Sequence, residues 1–239
     1  MADTKPRVDL IPWDFDSEEH QQRMYLQRVA CGWRSDEVQR WVELGKAGQK
    51  TLYWILLAED LSDRETLTSK HTAEFPKESA PITDTVTTHW QKPRKPSKRA
   101  FIPIGHVALD IRPEDYAHLK LTDDGIVWVA GLYISWGLQS QGFGREAMGV
   151  VERIASLEPL SATWIVLDTM PRDQQVKSAF IKKALAAQGK PSPGVLTQTW
   201  YEKQGYEVFA RDVAVYSLED EVTGETESFD YLYLMKNLT

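Results

Sequence analysis

The stretch LYISWGLQSQGFGREAMGVVERI, residues 132–154, decides how this chain reads. It passes from an apolar run, through a turn carrying Gly142 and Gly144, into a segment where Ala147, Val150, Val151 and Ile154 recur at helical spacing. The pattern is a strand, a turn and a helix starting at about Gly144. The first amides of such a helix have no partner one turn back, so they point into the turn. With the positive end of the helix dipole they favour an anion, and glycines without side chains let a bulky phosphate approach the backbone. The turn is therefore shaped for a phosphate or diphosphate.

Working outward toward the N-terminus, Gly125–Ser135 and Phe101–Ile111 read as strands, and RPEDYAHLKLTDDG between them reads as a loop with one short helical turn. The segment Leu61–Arg99 is polar, contains Pro76, Pro81, Pro93 and Pro96, and ends in the basic run KPRKPSKR. It reads as a partly mobile loop insertion over 61–100. Its basic run is that of a solvated linker rather than a nucleic-acid contact. Thr51–Glu59 is a buried strand by its aromatic and branched content. Before it come two helices. One is capped by Ser17, carries Glu18 and Glu19 in its first turn and continues through Arg28. The other restarts at Ser35, buries Val38, Trp41, Val42 and Leu44, and stops at Gly45 and Gly48. Val8–Trp13 is a short opening strand.

Toward the C-terminus, Ala162–Thr169 is strand-like. Pro171–Gly189 holds a helix over Gln174–Ala187, within a helical insertion at 171–191. Ser192 then caps a further helix, with Pro193 at its first position and Gly205 as its stop. Tyr206–Ser217 and Ser228–Leu238 are strands joined by EDEVTGET, which makes a hairpin. The fold class is α/β, of the α+β kind: one domain, 1–239, with two early helices, a central sheet and helices crossing between later strands.

Composition bounds the function classes. The chain has 239 residues, 42% of them hydrophobic and 26% charged, as a globular protein with a substantial core has. A net charge of -7 argues against nonspecific nucleic-acid binding and favours cationic ligands. No apolar run reaches the roughly 20 residues of a membrane span, and MADTKPRVDL lacks the apolar core of a secretory signal. The expectation is a cytoplasmic protein with no membrane and no nucleic-acid partner. Cys31, the single cysteine, allows no internal disulfide, and no metal-ligand pattern is present.

Three phosphate-binding readings compete for the turn. A nucleoside-triphosphatase loop needs GxxxxGK followed by Ser or Thr, which does not occur. A dinucleotide site is partly matched, since Gly142, Gly144 and Ala147 give GxGxxA and the next strand ends in Asp168. However, Trp136–Gln141 separate strand from glycine, and the chain after Asp168 closes in a hairpin rather than in further alternating units. The third reading joins two motifs. QSQGFG, Gln139–Gly144, between LYIS and a helix, resembles the acetyl-coenzyme A motif of the GCN5-related N-acetyltransferase (GNAT) superfamily. WYEKQGYEVF, Trp200–Phe209, is similar to that family's later signature helix and strand, and both occur in the family's order. The likeness covers Phe101–Tyr206 well and the flanking elements more loosely. It departs at Gly194, where an asparagine is usual, and at Thr197, where a small residue is usual; both touch contacts to the pantetheine arm.

The resemblance implies a mixed, mostly antiparallel twisted sheet with a splayed parallel strand pair, and acetyl-CoA as cosubstrate. It implies cofactor binding by Leu132, Ile134, Gln139, Gln141, Gly142, Phe143, Gly144, Arg145 and Trp200. Amides of Gln141 to Arg145 hold the diphosphate, and the amide of Ile134 or a neighbour faces the thioester carbonyl. Tyr201 matches the general acid that protonates the departing thiolate, in direct transfer through a ternary complex. For the base, Asp168 is the expectation, with Asp110 and His106, four positions apart and so on one face of the strand FIPIGHVALDI, as alternatives. Cys31 lies far from either motif and reads as an inert thiol. Trp128, Trp136 and Trp164 read as apolar walls. The acceptor is a primary amine, a small cationic molecule rather than a protein, and the chain is a monomer or homodimer. A noncatalytic acyl-CoA sensor keeps QSQGFG but has no use for Tyr201.

Overall fold

The computed structural model describes residues 5–111, 114–121, 125–178, 196–219 and 224–239. The elements in chain order are β1 (Val8–Pro12), α1 (Glu18–Cys31), α2 (Val38–Lys46), β2 (Lys50–Leu57), α3 (Arg64–Glu74), β3 (Ile82–Thr83), β4 (Thr88–His89), β5 (Lys92–Pro93), β6 (Ala100–Phe101), β7 (Gly105–Asp110), β8 (Ile126–Ile134), α4 (Phe143–Ser156), β9 (Trp164–Thr169), α5 (Arg172–Lys177), α6 (Thr197–Glu202), β10 (Glu207–Glu219) and β11 (Thr226–Asn237). They fall into two units, Met1–Thr163 and Trp164–Thr239.

In the first unit the strands run β1-β2-β7-β8, each antiparallel to the next, with Val8 opposite Leu57, Lys50 opposite Asp110 and Gly105 opposite Ile134. β2 is buried from Leu52 to Leu57, as its nearly continuous apolar sequence requires of a central strand. α1 opens on Ser17, whose Oγ accepts from the His20 amide, and closes on Gly32 at φ 80°. Met24 of α1 and Val38, Trp41 and Val42 of α2 pack with Leu52, Trp54 and Leu56 of β2 and Ala108 of β7. Burying each large apolar side chain contributes about 1.5–3 kcal/mol relative to exposure, so this layer fixes α1 and α2 on the sheet. β8 carries a bulge: its pairing with β7 slips by one residue between His106 and Ala108, where Gly131 sits at φ 60°.

The segment expected as a polar loop over 61–100 is structured. It forms α3, a 3₁₀ turn at Pro76–Glu78 and four short strands, paired β3 with β6 and β4 with β5. Only Leu67 and His71 of α3 are buried, too sparse an apolar stripe to show as a helical period. The basic run differs too. Arg94 holds the buried carboxylate of Asp84 through two hydrogen bonds of 2.7 and 2.8 Å, and Arg99 pairs with Glu59 at 2.9 Å. An internal acid, not solvent, thus takes up part of that charge.

In the second unit the order is β9-β11-β10, antiparallel throughout, with Asp168 opposite Tyr233. β10 and β11 form the expected hairpin, interrupted by register shifts between Val208 and Ala210 and between Asp212 and Tyr216. The helix expected over Gln174–Ala187 begins as α5; its part beyond Ser178, the Ser192 cap, Pro193 and Gly194 lie outside the described residues. Among the described residues no helix is long and apolar enough to cross a membrane.

Candidate functional site

The turn of the opening motif lies in the first unit. β8 ends at Ile134, a 3₁₀ turn spans Trp136–Leu138, and α4 starts at Phe143. The first helical bond closes from the Glu146 amide to the Gly142 carbonyl at 3.1 Å. Among the described residues, the amides of Ser140 to Arg145 donate no hydrogen bond. Ser140 at φ 63° and Gly142 at φ 92° have positive φ, and Gly142 leads directly into the right-handed start of α4, a left-right alternation of the kind found in backbone anion nests. Gly142 is required there: a β-carbon would be strained at that φ and would sit 3.0 Å from Arg7 Nη2.

Arg7 and Glu146 brace the turn, and motif reading missed both. The Arg7 amide donates to Glu146 Oε2 at 2.6 Å, its Nε to Glu146 Oε1 at 2.7 Å, and its Nη2 to the Gln141 carbonyl at 2.7 Å. The guanidinium lies 4.7 Å from the ring centre of Phe143, itself buried at the start of α4. The buried face of α4 is Phe143, Ala147, Met148, Val151 and Ala155, rotated from the expected stripe that included Val150 and Ile154. Gln139 donates through Nε2 to the Ile134 carbonyl at 3.0 Å, and Gln141 through Nε2 to the Gly137 carbonyl at 3.5 Å. Gln139 thus ties the turn to the strand end, and Gln141 ties it to the 3₁₀ turn. Arg145 is exposed, Leu132 half-buried, and Ile134 buried just past the bulge.

Trp200, Tyr201 and Asp168 lie in the second unit. Tyr201 of α6 packs edge-on against Trp200 at 4.8 Å and Tyr206 at 5.6 Å, with its backbone carbonyl taking the amide of Gln204 at 2.8 Å. Burial pushes the Tyr201 phenol well above its ordinary value, and the negative charge of Asp168 adds to the shift. Tyr201 is thus protonated at neutral pH, as a proton donor must be. Glu202 of the same signature accepts from Gln198 Nε2 at 2.8 Å and pairs with Arg172 at 3.2 Å, a bracing role.

Two alternative bases are engaged elsewhere. Asp110 is clamped by Lys50 Nζ at 2.5 and 2.6 Å; burial pushes its carboxyl up while Lys50 pulls it down. His106 is fully buried. Its Nδ1 lies 2.8 Å from Gln27 Oε1 and its Nε2 3.3 Å from Arg28 Nη1. Burial, and secondarily the Arg28 charge, hold it neutral. Each is a satisfied polar core group.

The sequence did not signal a polar patch behind the end of β8. His71 Nδ1 and Ser135 Oγ are hydrogen-bonded at 2.8 Å, and His71 Nε2 faces Glu78 Oε2 at 3.6 Å. Gln27 Nε2 donates to Glu78 Oε2 at 2.9 Å and to the Pro103 carbonyl at 3.0 Å. Because that nitrogen donates, Gln27 Oε1 accepts, which makes His106 Nδ1 the protonated ring nitrogen. Burial raises the Glu78 carboxyl to about 7. Burial first, then the Arg23 charge, lowers His71 to about 4. Among the described residues there is no cluster of three or more His, Cys, Asp or Glu suited to a metal.

No family model matches the chain, and no curated protein matches it. Solved structures do. One from Desulfovibrio desulfuricans, described as an acetyltransferase of the GNAT family, is 11% identical, with 97% of this chain and 99% of that one covered and a TM-score of 0.51. An aminoglycoside 6'-N-acetyltransferase in complex with coenzyme A is 9% identical, with 97% of each chain covered and a TM-score of 0.50. A protein described as a phosphinothricin N-acetyltransferase is 11% identical, with coverage of 97% and 99% and a TM-score of 0.50. At these identities the likeness is one of fold: the chain has the GNAT acetyltransferase fold.

Proposed function

We propose that this chain is an acetyl-CoA-dependent N-acetyltransferase that moves the acetyl group to a primary amine by direct attack. The observation that carries this reading is the run of amides from Ser140 to Arg145, which donate no hydrogen bond among the described residues and span two residues of positive φ just before α4. Such a nest suits the diphosphate of coenzyme A. The structural neighbour solved with coenzyme A lends the same cofactor to this fold.

The chemistry follows from proton balance. An alkylammonium with a pKa near 10 loses one proton before attack, to Asp168 or through water. The amine lone pair adds to the thioester carbon, and the amide of Ile134 stabilises the oxyanion. When the C–S bond breaks, the second nitrogen proton balances the departing thiolate, whose conjugate acid has a pKa near 8.5. Tyr201 supports that departure with a hydrogen bond to sulfur. Its raised pKa makes complete transfer to sulfur uphill, so its effect lies in stabilising the charge as it develops. The acceptor is a small cationic amine, in keeping with the chain's net charge of -7 and with the aminoglycoside-acetylating neighbour.

The test is release of free thiol across a panel of polyamines, amino sugars and amino acids, with Tyr201→Phe in parallel. We expect turnover with at least one amine and a fall in kcat of about 100-fold in the variant, with acetyl-CoA affinity unchanged. Tight acetyl-CoA binding with no turnover on any amine would favour an acyl-CoA sensor, and stronger binding of NAD would favour a dinucleotide site.

A further inference from the structure

The end of β8 is held from three directions. The Ser135 amide donates to the Ile104 carbonyl at 2.8 Å, Gln139 Nε2 donates to the Ile134 carbonyl at 3.0 Å, and His71 Nδ1 is hydrogen-bonded to Ser135 Oγ at 2.8 Å. The first two restraints come from the neighbouring strand's approach and from the turn itself. The third comes from α3, inside the segment that exceeds the core the motifs mark out. His71 and Ser135 are both 0% exposed, and Glu78 behind them is 2% exposed.

A buried polar network of this kind rarely stabilises more than apolar side chains of the same volume would. A leucine or phenylalanine at 71 would fill the space beside Phe75, whose ring centre lies 5.8 Å from that of His71, with no polar group to satisfy. The one side-chain hydrogen bond His71 makes among the described residues instead ends on the residue that follows Ile134, while its Nε2 faces Glu78 at 3.6 Å without a hydrogen bond. The peptide bond between Ile134 and Ser135 is planar, so fixing Ser135 at its side chain and its amide limits rotation of the peptide that carries the Ile134 carbonyl. That carbonyl is also held by Gln139, and the peptide bearing the Ile134 N–H is joined to this fixed plane through the Ile134 α-carbon, so one side of the N–H's setting is restrained.

We propose that His71 is a positioning residue for acyl transfer, acting through Ser135 to aim the Ile134 amide at the thioester oxygen. The inference rests on the acetyltransferase reading above. An oxyanion donor acts only at about 2.7–3.1 Å from the developing charge, and complete loss of one costs about 10²–10³ in kcat. Loosening its aim costs less, about tenfold.

His71→Phe removes the hydrogen bond and keeps the bulk; His71→Asn keeps a polar atom near the place of Nδ1. We expect His71→Phe to lower kcat about tenfold with KM for acetyl-CoA within about twofold, and His71→Asn to recover most of the rate. Ser135→Ala removes the same bond from its other end, and adding it to His71→Phe should produce no further loss. A wild-type kcat in His71→Phe or in Ser135→Ala overturns the proposal. So does a His71→Asn protein as slow as His71→Phe while both melt like wild type. Should His71→Phe fail to fold, Ser135→Ala decides. Should the wild type acetylate no amine, the acetyltransferase reading fails separately. The amide chemical shift of Ile134 then tests the positioning by itself: it moves in His71→Phe and returns toward wild type in His71→Asn if the bond sets its aim, and a resonance unmoved in His71→Phe overturns the idea.

Discussion

The turn at residues 139–145 and the patch around His71 flank the same strand end and are built on opposite principles. The turn presents backbone, is partly open to solvent, and is assembled from consecutive residues. The patch presents side chains, is closed to solvent, and is tied by hydrogen bonds between residues 51 to 79 positions apart, from α1, α3, β7, the residue after β8 and the 3₁₀ turn at Pro76–Glu78. An anion site made of amides needs only a local conformation, which glycine placement sets. A side-chain network needs the whole tertiary fold in place before any of its members meet.

The difference should show first in stability. Burial lifts Glu78 from 4.5 to about 7. Between those values the folded state keeps a proton that the unfolded chain has lost, so this group's contribution falls as pH rises through that window. A shift of that size corresponds to about 3 kcal/mol. His71 works the other way: lowered from 6.5 to about 4, it removes stability as pH falls through that range. The two slopes largely cancel from pH 4.5 to 6.5. Glu78→Gln should therefore raise stability at pH 8 by up to about 3 kcal/mol, measured by urea unfolding, and expose a decline below pH 6.5 that the wild type masks. A variant less stable than wild type at pH 8 would mean the carboxylate is better satisfied than its burial indicates.

The turn should answer a smaller change. Gly142→Ala places a β-carbon at φ 92° and against Arg7, which costs about 1–2 kcal/mol of folding stability. Acetyl-CoA affinity, read by titration calorimetry, should fall about tenfold, since the same β-carbon stands where a phosphate approaches. Unchanged affinity would move the diphosphate off this turn. The smallest effect belongs to Arg7→Ala. Its pair with Glu146 is partly exposed, so the loss should be under about 1 kcal/mol and should shrink with added salt. A much larger loss would make Arg7 a structural anchor of β1 rather than a brace of the turn.

Legibility in the sequence follows the same division. Strand, turn and helix at 125–156 were readable because each signal is local: β8 ends within a residue of the expected Ser135, and α4 begins one residue before Gly144. The stripe on α4 was misjudged by part of a turn because Phe143 and Met148, not Val150 and Ile154, fill the buried side. α3 was invisible because its inward face consists of one leucine and one histidine. Arg7 gave no sign of its role, since nothing in its neighbourhood of the sequence hints at Glu146, 139 positions on. Asp110 and His106, alternatives for the base on the strength of a polar residue on an apolar strand, have partners that no local pattern announces: Lys50 for the first, Gln27 and Arg28 for the second.

The central claim is that main-chain N–H groups of Ser140 to Arg145 grip the diphosphate of an acyl carrier. Amide resonances followed by nuclear magnetic resonance during titration with acetyl-CoA test it most directly. The account predicts that the largest shifts fall on Gln141 to Arg145, that coenzyme A without the acetyl group reproduces them, and that Gly142→Ala diminishes them. Saturable binding that leaves those amides unmoved, with the shifts concentrated elsewhere, would contradict it.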